Sequence, residues 1–145
     1  MSGGPSYGVA VELALGFKPH SGWAIAVIAG GSATAPLVLA RQRVTLCPEA
    51  LPRQTYHAAH GLQRAKAARL VDEVEAAVEA TTTAVLAALL DDASAYGEVV
   101  AVGIVGTPRD HPTLDSALAT HTMLHSAEGE LYRGALAAAA AAEGL

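Results

Sequence analysis

The sequence predicts an α/β fold of element order βββαβα, and three observations predict it. The first third of the chain holds three apolar runs of period two, separated by turns rich in Gly, Pro and Ser. A long stripe of helical spacing follows, and after it the β-branched run "GEVVAVGIVG", bounded by glycines. An alanine-rich stretch of helical spacing then runs to Gly144. At 145 residues the chain is long enough to bury one core and too short for two, so one domain over residues 1–145 is expected.

In "VAVELALGF" Val9, Val11, Leu13, Leu15 and Phe17 alternate with Ala10, Glu12, Ala14 and Gly16, which predicts a strand with one large and one small face. "KPHSG" has the residues of a turn, and "WAIAVIA" returns as the second arm of a hairpin, with Trp23 expected in the core. After "GGSATAP" the run "LVLARQRVTL" places Arg41 and Arg43 on the face of Leu37 and Leu39, so this third strand is expected at an edge, half exposed. Residues 47–60 hold two prolines and no period and read as a connection, with Cys47 an inert small hydrophobe. From Gly61 to about Asp92, Leu70, Val74, Val78, Val85 and Leu89 form the buried stripe of a helix, with Asp72, Glu75, Glu79 and Thr82 off it. The fourth strand has no polar face and is expected to be covered on both sides, and "TPRDHPT" starts a second helix at Pro112 and Thr113 that continues to Gly144.

A meander, a helix and another strand joined by a right-handed crossover give a mixed sheet of order 3-2-1-4 with helices packed on it. On that topology, and on the hairpin "LGFKPHSGWAIAV" with its second arm opening Gly-Trp-Ala, the chain resembles the ribonuclease H-like superfamily, which includes the Holliday-junction resolvases and the actin-like sugar kinases. The resemblance implies metal-binding acids on the first strand, the fourth strand and a helix. This chain departs from that pattern: Phe17 or a near neighbour stands at the first acid's place, Glu12 is too early, and "VVAVGIV" has no acid before Asp110 in the following loop. The two-metal nuclease site is therefore expected to be absent. The resemblance also implies a strand after the last helix where this sequence reads "AAEGL", so a minimal sheet or a fragment is expected.

A formal net charge of −5 repels polyanions unless the basic residues are focused on one face, and no basic run focuses them, which argues against nucleic acid as a partner. The single cysteine excludes an internal disulfide, and "MSGGPSYG" has neither the basic nor the apolar segment of a signal peptide. With no uninterrupted apolar stretch of spanning length, a cytoplasmic protein with no membrane partner is expected. An exposed edge strand and an alanine-rich last helix suit a homodimer. No Walker loop, dinucleotide fingerprint, HExxH or Cys-x-x-Cys occurs.

The topology also gathers the polar residues. Parallel first and fourth strands end at one edge of the sheet, the edge where open α/β sheets bind ligands. The turn after the first strand brings Lys18, His20 and Ser21 there, and the loop after the fourth brings Thr107, Asp110 and His111 beside a helix N-terminus. The connection must cross the domain to start the long helix at that edge, carrying Tyr56, His57 and His60 with it. In "HTMLHSAEGELY" the residues His121, His125 and Glu128 are spaced i, i+4, i+7, with Tyr132 on the flank. Two histidines one turn apart can aim at a common point, and a carboxylate on the next turn can complete a coordination shell or orient an imidazole.

The expected site binds a divalent transition metal or a small phosphorylated ligand. Its metal ligands come from His57, His60, His111, His121 and His125, its acid/base groups from His121, Glu128 and Asp110, and its ligand contacts from Lys18, His20, Ser21, Tyr56, His57, Thr107 and Tyr132. The alternative is that these groups satisfy one another as the polar core of a non-catalytic binding or oligomerisation module. A metal-dependent nuclease ranks third, given the missing acids and the charge.

Overall fold

The computed structural model describes residues 10–107 and 109–145. Strands β1 (Glu12–His20), β2 (Trp23–Ser32) and β3 (Ala35–Thr45) pair antiparallel, and β4 (Glu98–Ile104) lies parallel to β1, so the sheet has the expected order β3-β2-β1-β4. Leu13, Leu15 and Phe17 of β1 and Ala24, Ala26 and Ile28 of β2 are buried on one side of it. Against that side pack α1 (Thr55–Ala59), α2 (Arg64–Ala93), α3 (Leu114–Ala117) and α4 (His121–Ala142), and the buried apolar residues form one connected core. Ala24 and Ala26 of β2 face the helices, while on β1 the large residues face them and the small face, with Ala14 and Gly16, lies on the other side of the sheet, the reverse of a small face accepting the helix. Val9 lies outside the described residues, and Val11, next on the predicted face, is largely exposed.

Among the described residues only one face of the sheet is covered, which corrects the expectation for β4. Val99, Val102 and Ile104 pack on the core, while Val100 and Val105 are exposed. An all-apolar strand does not by itself say that both faces are buried: β4 sits at an edge beside a bulge at Leu13/Ala14, and its small or β-branched outer residues remain uncovered. On the other edge β3 is exposed as predicted. There a bulge at Ile28/Ala29 changes the phase of the strand, so Leu39 packs on the core while Arg41 and Arg43 face out, and the expected shared face is broken. Trp23 is not core either; it is half-buried, stacked on His20 at 4.1 Å between ring centroids, with the Arg43 guanidinium 3.9 Å from its ring centre.

The helices differ from expectation in two details. In α2 the buried row is Ala67, Val71, Val74, Val78, Thr82, Leu86, Leu89 and Ala93, which leaves Leu70 and Val85 half-buried on the flanks and brings Thr82 into the row. The second helix is two helices. Thr113 caps α3 and Thr120 caps α4, each hydroxyl accepting the backbone N–H three residues on, so the chain restarts at His121 rather than running through. Among the described residues no helix is long and apolar enough to cross a membrane.

Gly22, at φ +86°, closes the β1–β2 hairpin, and a Cβ there would stand 2.7 Å from Cβ of Arg53. Its carbonyl accepts the N–H groups of Leu46 at 2.8 Å and Cys47 at 3.1 Å. The segment after β3 is thus pinned across the end of the hairpin, and this delivers α1 to the carboxyl edge.

Candidate metal centre

A five-residue helix such as α1 is too short to hold itself together in water and depends on its contacts. Thr55, Tyr56 and Ala59 are buried, and the Thr55 hydroxyl donates to the Pro52 carbonyl at 3.0 Å. Those anchors turn His57 toward α4. Gln54 gives the helix no side-chain cap, yet the main-chain N–H of His57 finds an acceptor at 3.0 Å in Oε1 of Glu128, from a distant helix. The same oxygen lies 2.6 Å from Nδ1 of His57. Glu128 is 2 % exposed, and a carboxylate buried that far is costly unless donors meet it. His57 supplies two.

That pairing fixes the chemistry of the ring. With Nδ1–H donated to Glu128, neutral His57 keeps its lone pair on Nε2, which is the arrangement of a metal-ligating histidine held by a carboxylate behind it. His121 and His125, on the first two turns of α4, stand on the same face of the helix with their Nε2 atoms 3.0 Å apart. The ring of His57 packs edge-on against both, with centroids 5.4 Å from His121 and 4.7 Å from His125. One nitrogen from each of the three rings lies within 4.8 Å of the other two. Nitrogens bound to a tetrahedral ion at 2.0–2.1 Å stand roughly 3.3 Å apart, so small rotations of exposed rings close the set. His121 and His125 are exposed and His57 is partly so, which leaves one side of the group open to solvent.

Three imidazoles with a carboxylate behind one of them form a donor set for zinc or a neighbouring first-row ion rather than for calcium or magnesium, which take oxygen ligands. Three protein nitrogens and an open position match the ligand count of catalytic zinc sites.

The remaining candidate residues are spread around this group. His20 and Ser21 line a small cavity next to His125 and Glu128. His60, just past the end of α1, and Thr107 and Asp110, in the loop after β4, are exposed and lie outside the three-nitrogen set. His111 is also outside it; its Nε2 meets Oε1 of Glu75 at 3.1 Å, and the Tyr56 hydroxyl donates to that oxygen at 3.2 Å. Lys18 is on the uncovered face of the sheet, beside Ile25 and Val27. Tyr132 is buried, its hydroxyl donating to the Arg53 carbonyl at 2.6 Å. Burial, and then the neighbouring Glu75, holds the Tyr56 phenol well above its usual range; burial first, and then Cys47, does the same to Tyr132. Burial also pushes the Cys47 thiol up. Both phenols remain protonated donors.

Sequence reasoning did not single out Glu75, Gly129 or Arg133. Glu75 lies off the apolar stripe of α2, and only the tertiary fold brings His111 to it. Gly129 and Arg133 did leave a signal: His121, His125, Gly129 and Arg133 follow one another at intervals of four along one helical row.

Comparison of the chain with protein-family models, with curated protein sequences and with solved structures finds no match in any of the three.

Proposed function

We propose that this chain is a metal-binding protein of ribonuclease H-like topology in which His57, His121 and His125 hold a divalent transition metal, zinc or a close neighbour, at the carboxyl edge of the sheet. The observation that carries the reading is the clamp of His57 by the buried Glu128, which commits Nδ1 and leaves Nε2 for a shared ligand with the two histidines of α4. A polar cluster serving stability alone has no need of three imidazoles gathered beside solvent, two of them hydrogen-bonded only to each other through Nε2. A metal held by three neutral imidazoles supplies Lewis acidity and an acidified water, the requirements of hydrolysis. The strand order 3-2-1-4 and the parallel β1–β4 pair support the superfamily topology; β1 and β4 carry no acid near the site, and the nuclease reading is set aside.

The test is stoichiometry and stabilisation of chelator-stripped protein titrated with Zn²⁺, Co²⁺, Ni²⁺ and Mg²⁺. The expected result is one equivalent of Zn²⁺ or Co²⁺ per chain and a melting temperature raised by roughly 6–12 °C at a hundredfold excess over Kd, with Mg²⁺ inert. Stabilisation by none of them would remove the metal reading.

A second reading, a self-associating or binding module, rests on the outer sheet face, where Val100 and Val105 are exposed beside half-buried Ile25 and Val27. Sedimentation of the wild type against a Val27→Lys variant checks it.

A further inference from the structure

The four-residue row on α4 continues past the metal ligands. After His121 and His125 comes Gly129, and after Gly129 comes Arg133. Side chains on a helix lean toward its N-terminus, so the guanidinium of Arg133 lies over Gly129, one turn from His125. A Cβ at Gly129 would stand 2.9 Å from Nη1 of Arg133, and one at Gly106, at φ +129°, would stand 2.6 Å from its Cδ. Two glycines on different elements therefore clear the slot that this side chain occupies. A glycine inside a helix is otherwise a loss beside alanine, the commonest residue of this helix.

The guanidinium lines a cavity of about 260 Å³ whose other walls include His20, Ser21, Gln54, His125 and Glu128. Hydroxyl, amide and imidazole groups and the Glu128 carboxylate line it with that cation. The cation is poorly used within the chain. Its contact with Glu130, at 3.5 Å, is at the limit of a hydrogen bond, and its Nε is buried with no acceptor among the described residues. A buried donor without an acceptor is costly, and a planar fork of N–H groups matches the paired oxygens of a carboxylate or phosphoryl group. Glu128 is on the wall, but its Oε1 is taken by His57.

We infer that this cavity is an anion subsite adjoining the metal centre: Arg133, with Ser21, Gln54 and His20 around it, receives a carboxylate or phosphoryl oxygen pair of a small molecule whose other end reaches the metal at His125. The inference rests on the metal reading for what happens at that other end, and on Arg133 alone for the anion. It makes the substrate class a small oxyanion-bearing molecule.

The test is calorimetric titration of the chain with inorganic phosphate and with acetate, metal-free and Co²⁺-loaded, for wild type, Arg133→Gln, Arg133→Lys and Gly129→Ala. The expected result is saturable binding of at least one anion to metal-free wild type, roughly tenfold to a hundredfold weaker in Arg133→Gln and partly restored in Arg133→Lys. The tighter of the two anions tells carboxylate from phosphoryl ligands. Gly129→Ala is expected to raise the melting temperature, because alanine favours helix, while weakening the anion by displacing the guanidinium; a merely structural Gly129 and Arg133 would not part these two readouts. Affinity for Co²⁺ stays within a few-fold of wild type in Arg133→Gln. Anion affinity equal in wild type and Arg133→Gln, or no anion binding to either form of wild type, overturns the subsite. Arg133-dependent anion binding with no uptake of Co²⁺ upholds the subsite and overturns the metal reading.

Discussion

Two carboxylates in this molecule each take hold of a histidine, and they do so in different ways. Glu128 is buried, and a single oxygen receives both the ring and the main chain of His57. Glu75 is partly exposed and shares one oxygen between the Tyr56 hydroxyl and the ring of His111, a side chain that is 64 % exposed. The first pair fixes a ring in position and orientation, because the main-chain bond anchors α1 and the ring bond sets the tautomer. The second tethers a loop to a helix through two long side chains, and an exposed pair of that kind is worth little. The surroundings differ too: His57 meets Glu128 through Nδ1 and packs its ring against two other imidazoles, whereas His111 has one nitrogen on Glu75 and the other 3.0 Å from the Pro112 carbonyl. Similar pairs thus have different consequences, and burial and the rings packed around His57 make the difference.

Removing the ligands breaks the comparison most sharply. His57→Ala, His121→Ala and His125→Ala are each expected to weaken Zn²⁺ or Co²⁺ by roughly two to three orders of magnitude, since four-ligand sites bind zinc with about 10–16 kcal/mol, some 3 per ligand. His111→Ala and His60→Ala are expected to leave that affinity within about twofold, and competition against a chromophoric chelator measures all five. Next come the carboxylates. Glu128→Gln retains the shape and an acceptor but loses the charge, and is expected to cost tenfold to a hundredfold in metal affinity, as is usual for the partner of a ligating histidine. Glu75→Gln by the same assay is expected to cost almost nothing; equal losses from the two would erase the distinction drawn between them.

Smaller effects probe the surrounding core. Thr82 is fully buried in α2 and its hydroxyl has no partner, so Thr82→Val, of the same shape, is expected to stabilise the fold by about 1 kcal/mol in denaturant melts. The two buried phenols, Tyr56 of α1 and Tyr132 of α4, give a pH dependence. Their native pKa values are raised by burial, so the stabilising contribution is complete below the unfolded phenol value of about 10 and is lost as pH climbs from there toward the raised native values. Urea midpoints are expected to fall between about pH 10 and 12 in wild type, and less steeply in Tyr56→Phe. A flat profile in wild type would mean that neither phenol is held as described.

Much of this was legible before any coordinates. Period-two alternation in β1 to β3 and the spacing of α2 gave the elements, and the crossover rule gave the strand order. His121, His125 and Glu128 could be placed on one side of a helix from their spacing, and His57 could be brought to them by the route of the chain. What spacing could not tell was that Glu128 would turn to His57 rather than to its own helix neighbours, because that depends on where α1 docks. The bulges at Leu13/Ala14 and Ile28/Ala29 leave no mark in alternation until the partner strand is known, so Leu39 was put on the wrong side. An uncovered sheet face escapes in the same way, since valines of a half-covered strand and of a buried one are spelled alike. The break before His121 has a signal in Thr120, a residue that caps helices, but the apolar spacing of Ala117, Leu118 and Leu124 continues across it and hides the cap.

The central claim is that His57, His121 and His125 bind one metal ion. X-ray absorption at the zinc edge of protein loaded with one equivalent of Zn²⁺ tests it most directly, because scattering from imidazole rings identifies the ligands and counts them. The account predicts three imidazole nitrogens at about 2.0–2.1 Å and one further light-atom ligand, with the imidazole signal reduced to two in His57→Ala. A shell of oxygens, a sulfur at about 2.3 Å from Cys47, or an imidazole count unchanged in His57→Ala would contradict it.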